Sequence, residues 1–398
     1  MSLNHTPNAN RLHIGIFGKR NSGKSSLINA LTNQESALVS DIAGTTTDPV
    51  YKAMEVRGVG ACVFIDTAGF DDHGEIGQLR VEKTKQAILK TDVAIMVFTD
   101  EGISLEKEWV ELLSKQSTPI IAVVNKIDCL TNADAIKKLI EKEFNLSPIL
   151  LSAMNREGID ELLSAIARSL PESYQQESIV GHLVNEGDTV LLVMPQDSEA
   201  PKGRLILPQV QTIRDLLDNK CISINTTPDM MENAIAMMKE PPKLIITDSQ
   251  AFQTVYEKKP KESLLTSFSV LFAAHKGDLE SFVEGANAID HLNANSHILI
   301  AEACTHAPLS EDIGRVKIPA MLRKRYGDTI QVDIMSGINF PSTEKLANYD
   351  LIVHCGGCMF NKKYLLSRIS QAKQAHVPIT NYGVLIAKLT GILDKISM

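Results

Sequence analysis

Cysteine is scarce in this 398-residue sequence, long apolar runs are missing, and positive charge is not in excess. Six cysteines (Cys62, Cys129, Cys221, Cys304, Cys355 and Cys358) are too few for a disulfide scaffold. The expected location is a reducing cytoplasm, where clustered thiols more often hold metal than pair with one another. No apolar stretch approaches the roughly 18 residues that a bilayer crossing requires, so no membrane association is expected. The polar opening MSLNHTPNANRLH also lacks the apolar core of a signal peptide. Lys and Arg total 40 against 48 Asp and Glu, a formal net charge of -8, which argues against a broad cationic surface for nucleic acid. What remains, 44% hydrophobic and 22% charged residues, gives every segment a core, and the length fits two or three domains.

From Arg11 to about Leu170, short β-branched runs (12 to 18, 61 to 69, 93 to 98, 120 to 126) alternate with helical stretches such as ADAIKKLIEKEF and IDELLSAIARSL. That alternation predicts an α/β domain over residues 1 to 172 with a mostly parallel, doubly wound sheet. The polar PESYQQES, opened by Pro171, reads as a linker. Two smaller α/β layers follow, also with mostly parallel sheets, over 173 to 270 and 271 to 398. The Met-rich stretch from Met230 to Met238 reads as core filler on a helix.

Gly18-Lys19-Arg20-Asn21-Ser22-Gly23-Lys24-Ser25 fits G-x-x-x-x-G-K-S between a predicted strand and a predicted helix, the context a P-loop requires. Its glycines let backbone N–H groups and the next helix N-terminus face phosphate. Lys24 is placed to reach the β and γ phosphates, and the Ser25 hydroxyl to sit on Mg2+. Asp66-Thr67-Ala68-Gly69 ends a second strand: its Asp can hold Mg2+ through water, and the Gly69 N–H can sense the γ-phosphate. Within Gly44 to Asp48, Thr46 is the expected switch threonine on Mg2+. Asn125-Lys126-Ile127-Asp128 ends a third strand. The Asp128 carboxylate can accept from guanine N1–H and N2–H, a donor pair that adenine lacks, and Ser152-Ala153 closes the base pocket.

The set resembles a translation-factor-class GTPase of the Era and tRNA-modification branch, with GTP, GDP and Mg2+ as implied ligands. In that branch Asn21, with Ser22, Gly23, Lys24, Ser25 and Ser26, matches the pattern of GTPases that bind K+ beside the phosphates. Such an ion supplies charge that an arginine finger gives elsewhere. Phe70 stands where many GTPases carry a water-orienting Gln, so slow, ion-dependent hydrolysis is expected.

Cys355-Gly356-Gly357-Cys358 follows the strand-like DLIVH, and Cys304-Thr305-His306 follows HILIAEA. If the two strands are parallel neighbours, three thiols converge beyond their carboxyl ends, and Asn381-Tyr382-Gly383 ends a strand of the same kind. Three thiolates suit a soft metal: zinc completed by His306 or His354, or a [4Fe-4S] cluster with one open iron; a redox pair uses Cys355 and Cys358 alone. Cys62, Cys129 and Cys221 read as ordinary buried cysteines.

A potassium-type GTPase followed by two α/β layers, with C-T-H about 50 residues before H-C-G-G-C, resembles the [FeFe]-hydrogenase maturation GTPases across essentially the whole chain. The stretch from Gly187 to Gln209 also resembles theirs. The resemblance implies Cys304, Cys355 and Cys358 as [4Fe-4S] ligands, with His306 and His354 as nearby or labile ones. It also implies a transient diiron precursor, two radical SAM partners, delivery to apo-[FeFe]-hydrogenase, a dimerising middle domain and a homodimer. Asp197 is a further candidate ligand if the domains or protomers bring it over, and otherwise a solvated loop carboxylate. The competing expectation is a ribosome- or tRNA-associated GTPase with a structural zinc. Against it, no G-x-x-G clamp or basic stripe occurs in the last two domains, where Arg323-Lys324-Arg325 reads as a solvated helix face.

Overall fold

A computed structural model describes residues 6–32, 40–42, 49–56, 58–71, 74–170, 178–196, 205–303 and 312–398. The chain divides into two compact units, Met1–Gln176 and Glu177–Met398.

In the first unit, β1 (Leu12–Gly18) leads to α1 (Lys24–Thr32), β2 (Ser40–Ile42), β3 (Val50–Val56), β4 (Gly60–Asp66) and α2 (Gly74–Ile88). Then come β5 (Val93–Phe98), α3 (Ser104–Lys115), β6 (Ile120–Val124), α4 (Ala133–Phe144), β7 (Ile149–Leu150) and α5 (Ile159–Arg168). The strand order is β2-β3-β4-β1-β5-β6-β7; the pairs β2 with β3 and β3 with β4 are antiparallel and the others parallel. β5 shows why an unbroken apolar run forms such a strand. Its Val93, Ile95 and Val97 join Leu27, Leu162 and Ile166 on one face, whereas Ala94, Met96 and Phe98 join Trp109, Ile136 and Ile140 on the other. Both faces are covered, so both sets of alternating side chains must be apolar.

His13, buried within β1, hydrogen-bonds the Arg11 carbonyl through Nδ1 at 2.9 Å. Burial lowers its pKa from 6.5 to about 4. The folded state therefore keeps the ring neutral where the unfolded chain binds a proton. This contribution to stability is complete above pH 6.5 and is lost as pH falls through 4, about 3 kcal/mol at the acid end. Trp109, the sole tryptophan, lies in this unit and reports its melting. The transition it reports is expected to move to lower temperature from pH 7 to 4.5, and less steeply in His13→Gln. Equal slopes for the two proteins would contradict the assignment.

The second unit contains β8 (Thr189–Val193), α6 (Leu207–Asp218), β9 (Ile222–Thr226), α7 (Met231–Ala236), β10 (Leu244–Thr247), α8 (Phe252–Lys258), β11 (Leu264–Ser267) and α9 (Phe268–Lys276). It continues with α10 (Leu279–Asn287), β12 (His297–Glu302), α11 (Ile318–Tyr326), β13 (Gln331–Ser336), α12 (Thr343–Leu346), β14 (Leu351–His354), α13 (Lys362–Gln374), β15 (Ile379–Asn381) and α14 (Tyr382–Leu389). These strands form two parallel sheets, ordered β11-β10-β8-β9 and β13-β12-β14-β15. One apolar cluster joins the sheets, from Leu191, Val193 and Ile245 through Phe252, Val270, Ala273 and Phe282 to Leu299, Ile352 and Ile379. Positions 270 and 271, where the periodicity separates the second and third domains, both lie inside α9.

Two sequence expectations are corrected. Of the Met-rich stretch only part is core: Met231 is buried, whereas Met230 and Met237 are exposed, Met237 at 88%. Helix α7 is short, Met231–Ala236, and Met230 and Met237 flank its two ends. Cys129 is exposed rather than buried because it sits in the turn after β6, beside Asp128.

Candidate nucleotide site and cysteine cleft

The phosphate side is built where β1 ends. Lys24, the first residue of α1, is buried and donates through Nζ to the Gly18 carbonyl at 2.9 Å and the Lys19 carbonyl at 2.7 Å, folding across the loop it belongs to. Asn21 and Gly23 take positive φ (58° and 90°), the curl that turns successive N–H groups inward. Ser22 is fully buried, and its hydroxyl has no partner among the described residues. The Ser25 hydroxyl donates to Asp66 at 2.6 Å, bringing together the two side chains expected at Mg2+. Ser26 is exposed at the next position of α1. At Gly69 a Cβ would lie 2.5 Å from the Arg20 backbone nitrogen, so only glycine lets the loop after β4 approach the P-loop this closely. Phe70 does not face the phosphate cradle: it stacks on Trp109 of α3, ring centroids 4.9 Å apart. Thr46 lies outside the described residues.

The base side comes from the ends of β6 and β7. Buried Asn125 donates to the Ser22 carbonyl at 2.9 Å and accepts from the Ala153 N–H at 3.1 Å, tying the P-loop to the Ser152-Ala153 loop. Lys126 takes a positive φ of 66°, which turns the chain toward Asp128. Hydrogen bonds from Ser152 and then Cys129 hold the Asp128 carboxyl below its usual range, so the exposed group is ionised and ready to accept. Sequence reasoning missed two ties. Lys19 bonds Asp100 at 2.8 Å, and the Arg20 N–H donates to Asp71, so neighbouring loops hold the P-loop from both sides.

In the second unit, β12 and β14 are parallel neighbours, with Ala301 opposite His354. Their carboxyl ends therefore lie together, as the thiol convergence requires. The Cys355 Sγ accepts the Ala303 N–H at 3.0 Å, which places this thiol against the end of β12. Burial pushes the thiol up to about 11, opposed by N–H bonds from Gly357 and Ala303. Cys358 is half-buried three residues on. Cys304, His306 and Asp197 lie outside the described residues, and among those described no three His, Cys, Asp or Glu side chains gather for a metal.

His354 is fully buried with both ring nitrogens engaged: Nδ1 meets the Cys355 carbonyl at 2.6 Å and Nε2 the Arg368 guanidinium at 3.0 Å. Because a guanidinium only donates, Nε2 accepts and Nδ1 carries the proton. Burial, then Arg368, lowers the His354 pKa to about 3. In this arrangement the ring braces the loop and presents no free lone pair to the cleft. Asn381 caps α14 by accepting the Val384 N–H, and the Tyr382 hydroxyl points to Glu302 at 3.4 Å. Arg368, Lys276 and Glu302 were missed. The signal for Arg368 was register: α13 buries Tyr364, Leu365, Ile369 and Ala372, and Arg368 falls in that stripe.

The donor chemistry fits a soft metal: one thiol held by two backbone N–H bonds, a second three residues away, and two buried cations, Arg368 and Lys276, beside them. Fold and sites thus define a P-loop GTPase domain followed by two parallel-sheet α/β domains, the last with Cys355 and Cys358 in the turn after β14. Residues 179–277 match the family described as the hydrogen maturase F dimerization domain, and residues 280–397 its tetramerization domain. The chain belongs to the hydrogen maturase F family. Residues 13–126 match the 50S ribosome-binding GTPase family.

Curated relatives resemble part of the chain. GTPase Der of Wolinella succinogenes is 34% identical over 190 residues, covering 42% of this chain and 39% of its own. The tRNA modification GTPase MnmE of Moorella thermoacetica is 38% identical over 156 residues, covering 38% of this chain and 33% of its own. The chain thus spans well under half of these relatives. Among solved structures, Era in complex with MgGDPNP and part of 16S ribosomal RNA gives a TM-score of 0.35 at 21% identity, over 56% of this chain and 93% of that one. The G domain of the T. maritima FeoB iron transporter gives 0.31 at 22%, over 40% and 98%. Among the described residues no helix is long and apolar enough to cross a membrane.

Proposed function

We propose that this chain is a cytoplasmic, GTP-hydrolysing scaffold that binds a [4Fe-4S] cluster through Cys304, Cys355 and Cys358. In this reading it assembles or delivers the diiron subcluster to apo-[FeFe]-hydrogenase, with two radical SAM enzymes as partners. The observation that carries the reading is the Cys355 thiol accepting the Ala303 N–H at the end of β12, one position before Cys304 in the sequence, in a chain whose second unit matches both maturase domains. When bound, the cluster supplies soft-metal sites and an exchangeable iron. The protein's own residues hold the thiols, fix their N–H bonds and exclude water. Anaerobic incubation with iron and sulfide is expected to give broad visible absorbance and a paramagnetic signal on reduction. Stoichiometric zinc without iron uptake would overturn the reading.

For the first unit, Lys24 and the P-loop backbone bind the phosphates, Ser25, Thr46 and Asp66 hold Mg2+, and Asn21 holds K+. Phe70 is packed on Trp109 and supplies no polar atom to orient water, so the monovalent ion takes the larger share of charge stabilisation. Replacing K+ by Na+ is expected to lower turnover at least tenfold. Equal rates in the two salts would remove the Asn21 assignment. A homodimer through the middle domain is supported by β9, an edge strand with Ile222 57% exposed, beside a groove of about 1110 Å³ lined by Met230 and Met237.

A further inference from the structure

We propose that Arg368 is a positioning residue that supplies the countercharge of the cysteine cleft, so that the group held by Cys355 and Cys358 is bound as an anion and is easier to reduce. The proposal rests on the cluster reading above and adds a residue and an electrostatic role to it. Arg368 is 1% exposed, and its guanidinium is charged at any physiological pH. It donates to His354 Nε2 at 3.0 Å, to the Gly337 carbonyl at 2.7 Å and to the Tyr364 hydroxyl at 3.3 Å. The rings of Phe360, Phe340 and Tyr364 enclose it at 4.5, 4.8 and 4.8 Å, and its Nε meets no acceptor among the described residues.

None of these partners is a carboxylate. A buried charge without a counterion is costly, and ring faces and carbonyl dipoles offset only part of that. A second cation faces the same turn from another helix. Lys276, at the end of α9 and 4% exposed, lies 3.4 Å from the Cys358 carbonyl and 3.3 Å from the Phe360 carbonyl. Arg368 and Lys276 thus bracket residues 355 to 360 from α13 and α9. The groups on that turn able to become anionic are the two thiols. The line from Arg368 through His354 to the Cys355 carbonyl fixes the distance between charge and ligand, so an electron added to a thiolate-bound group arrives beside a permanent cation. A role in packing alone would be met equally by a neutral side chain of similar length; a countercharge would not.

The test is an EPR-monitored redox titration at pH 7 of full-length protein reconstituted anaerobically with ferrous iron and sulfide. Arg368→Gln is expected to lower the midpoint by at least the equivalent of a tenfold fall in the reduced-to-oxidised ratio at fixed poise, about 59 mV for one electron. Arg368→Lys keeps the charge and is expected to stay within twofold of wild type in that ratio. Lys276→Gln is expected to shift it in the same direction as Arg368→Gln, and decides the question if Arg368→Gln takes up no iron. Neutral variants within twofold of wild type, or Arg368→Lys shifted as far as Arg368→Gln, would overturn the proposal. Wild-type protein that takes up no iron would instead overturn the cluster reading, and this proposal with it.

Discussion

Lys24→Ala is expected to lower GTP turnover by roughly a hundred- to a thousandfold at saturating nucleotide, the loss seen when one preorganised donor is removed from a developing charge. The ammonium is already at the loop it serves, bonded to the Gly18 and Lys19 carbonyls and 7% exposed. Phosphate oxygens would replace neutral acceptors with anionic ones, and charge-assisted bonds are roughly twice as strong as neutral ones. In so enclosed a place the interaction is weakly screened, so its gain is largest where negative charge accumulates during transfer. The substitution also strips a donor from two loop carbonyls, which costs about 1–3 kcal/mol if water does not reach them. Lys24→Arg separates the two effects. It keeps charge and donors but not the compact ammonium, so it should recover the melting temperature more than the rate. Single-turnover rates at saturating GTP distinguish lost chemistry from lost binding. A rate within tenfold of wild type for Lys24→Ala would remove Lys24 from its role.

The nucleotide site was legible because its chemistry is local in sequence. Each motif sits where a buried strand ends, and strands such as VAIMVF announce themselves by apolar runs whose alternate residues serve two covered faces. The flanking β2 and β3 were less visible. In VYKAMEV polar and apolar residues mix, and only pairing with β4 settles the strand. LLTS at β11 is four residues, too short for periodicity to separate it from the helix that follows. The shared core of the second unit was hidden for another reason. Apolar residues of α9 and α10 mark a buried face but not which sheet it meets, and both sheets meet it. Likewise Met237 carries the composition of a core residue while lying open to solvent, since periodicity reports amphipathicity and not the partner.

The cysteine motifs were legible in the sequence, whereas the residues packed around Cys355 were not. C-x-x-C and C-x-H are short-range patterns, whereas the contacts around Cys355 come from Ala303, 52 positions earlier, and from Arg368 through His354. An arginine within an apolar stripe is easily read as surface, because sequence does not show whether a long side chain turns outward to water or stays inside. Here aromatic rings keep it inside.

Cys355→Ser is expected to abolish iron retention, from roughly four iron atoms per chain in a reconstituted [4Fe-4S] form to well under one. The serine oxygen would occupy nearly the same space and could keep the Ala303 N–H bond, so the fold around β12 and β14 is expected to persist. What is lost is softness and ionisation. Burial already holds the Cys355 thiol up near 11, and binding must displace its proton; a hydroxyl is far harder to ionise and is a poor partner for a soft metal. Cys129→Ser is the matched control. That thiol is the one exposed among the described cysteines, bonded to Asp128 in the other unit, and its removal should leave iron content unchanged. GTP turnover measured without iron should be the same in wild type and Cys355→Ser, because Cys355 lies outside the unit that carries the P-loop. Full iron content in Cys355→Ser would strike Cys355 from the ligands. Equal loss in Cys129→Ser would point to a general thiol effect instead of a built site.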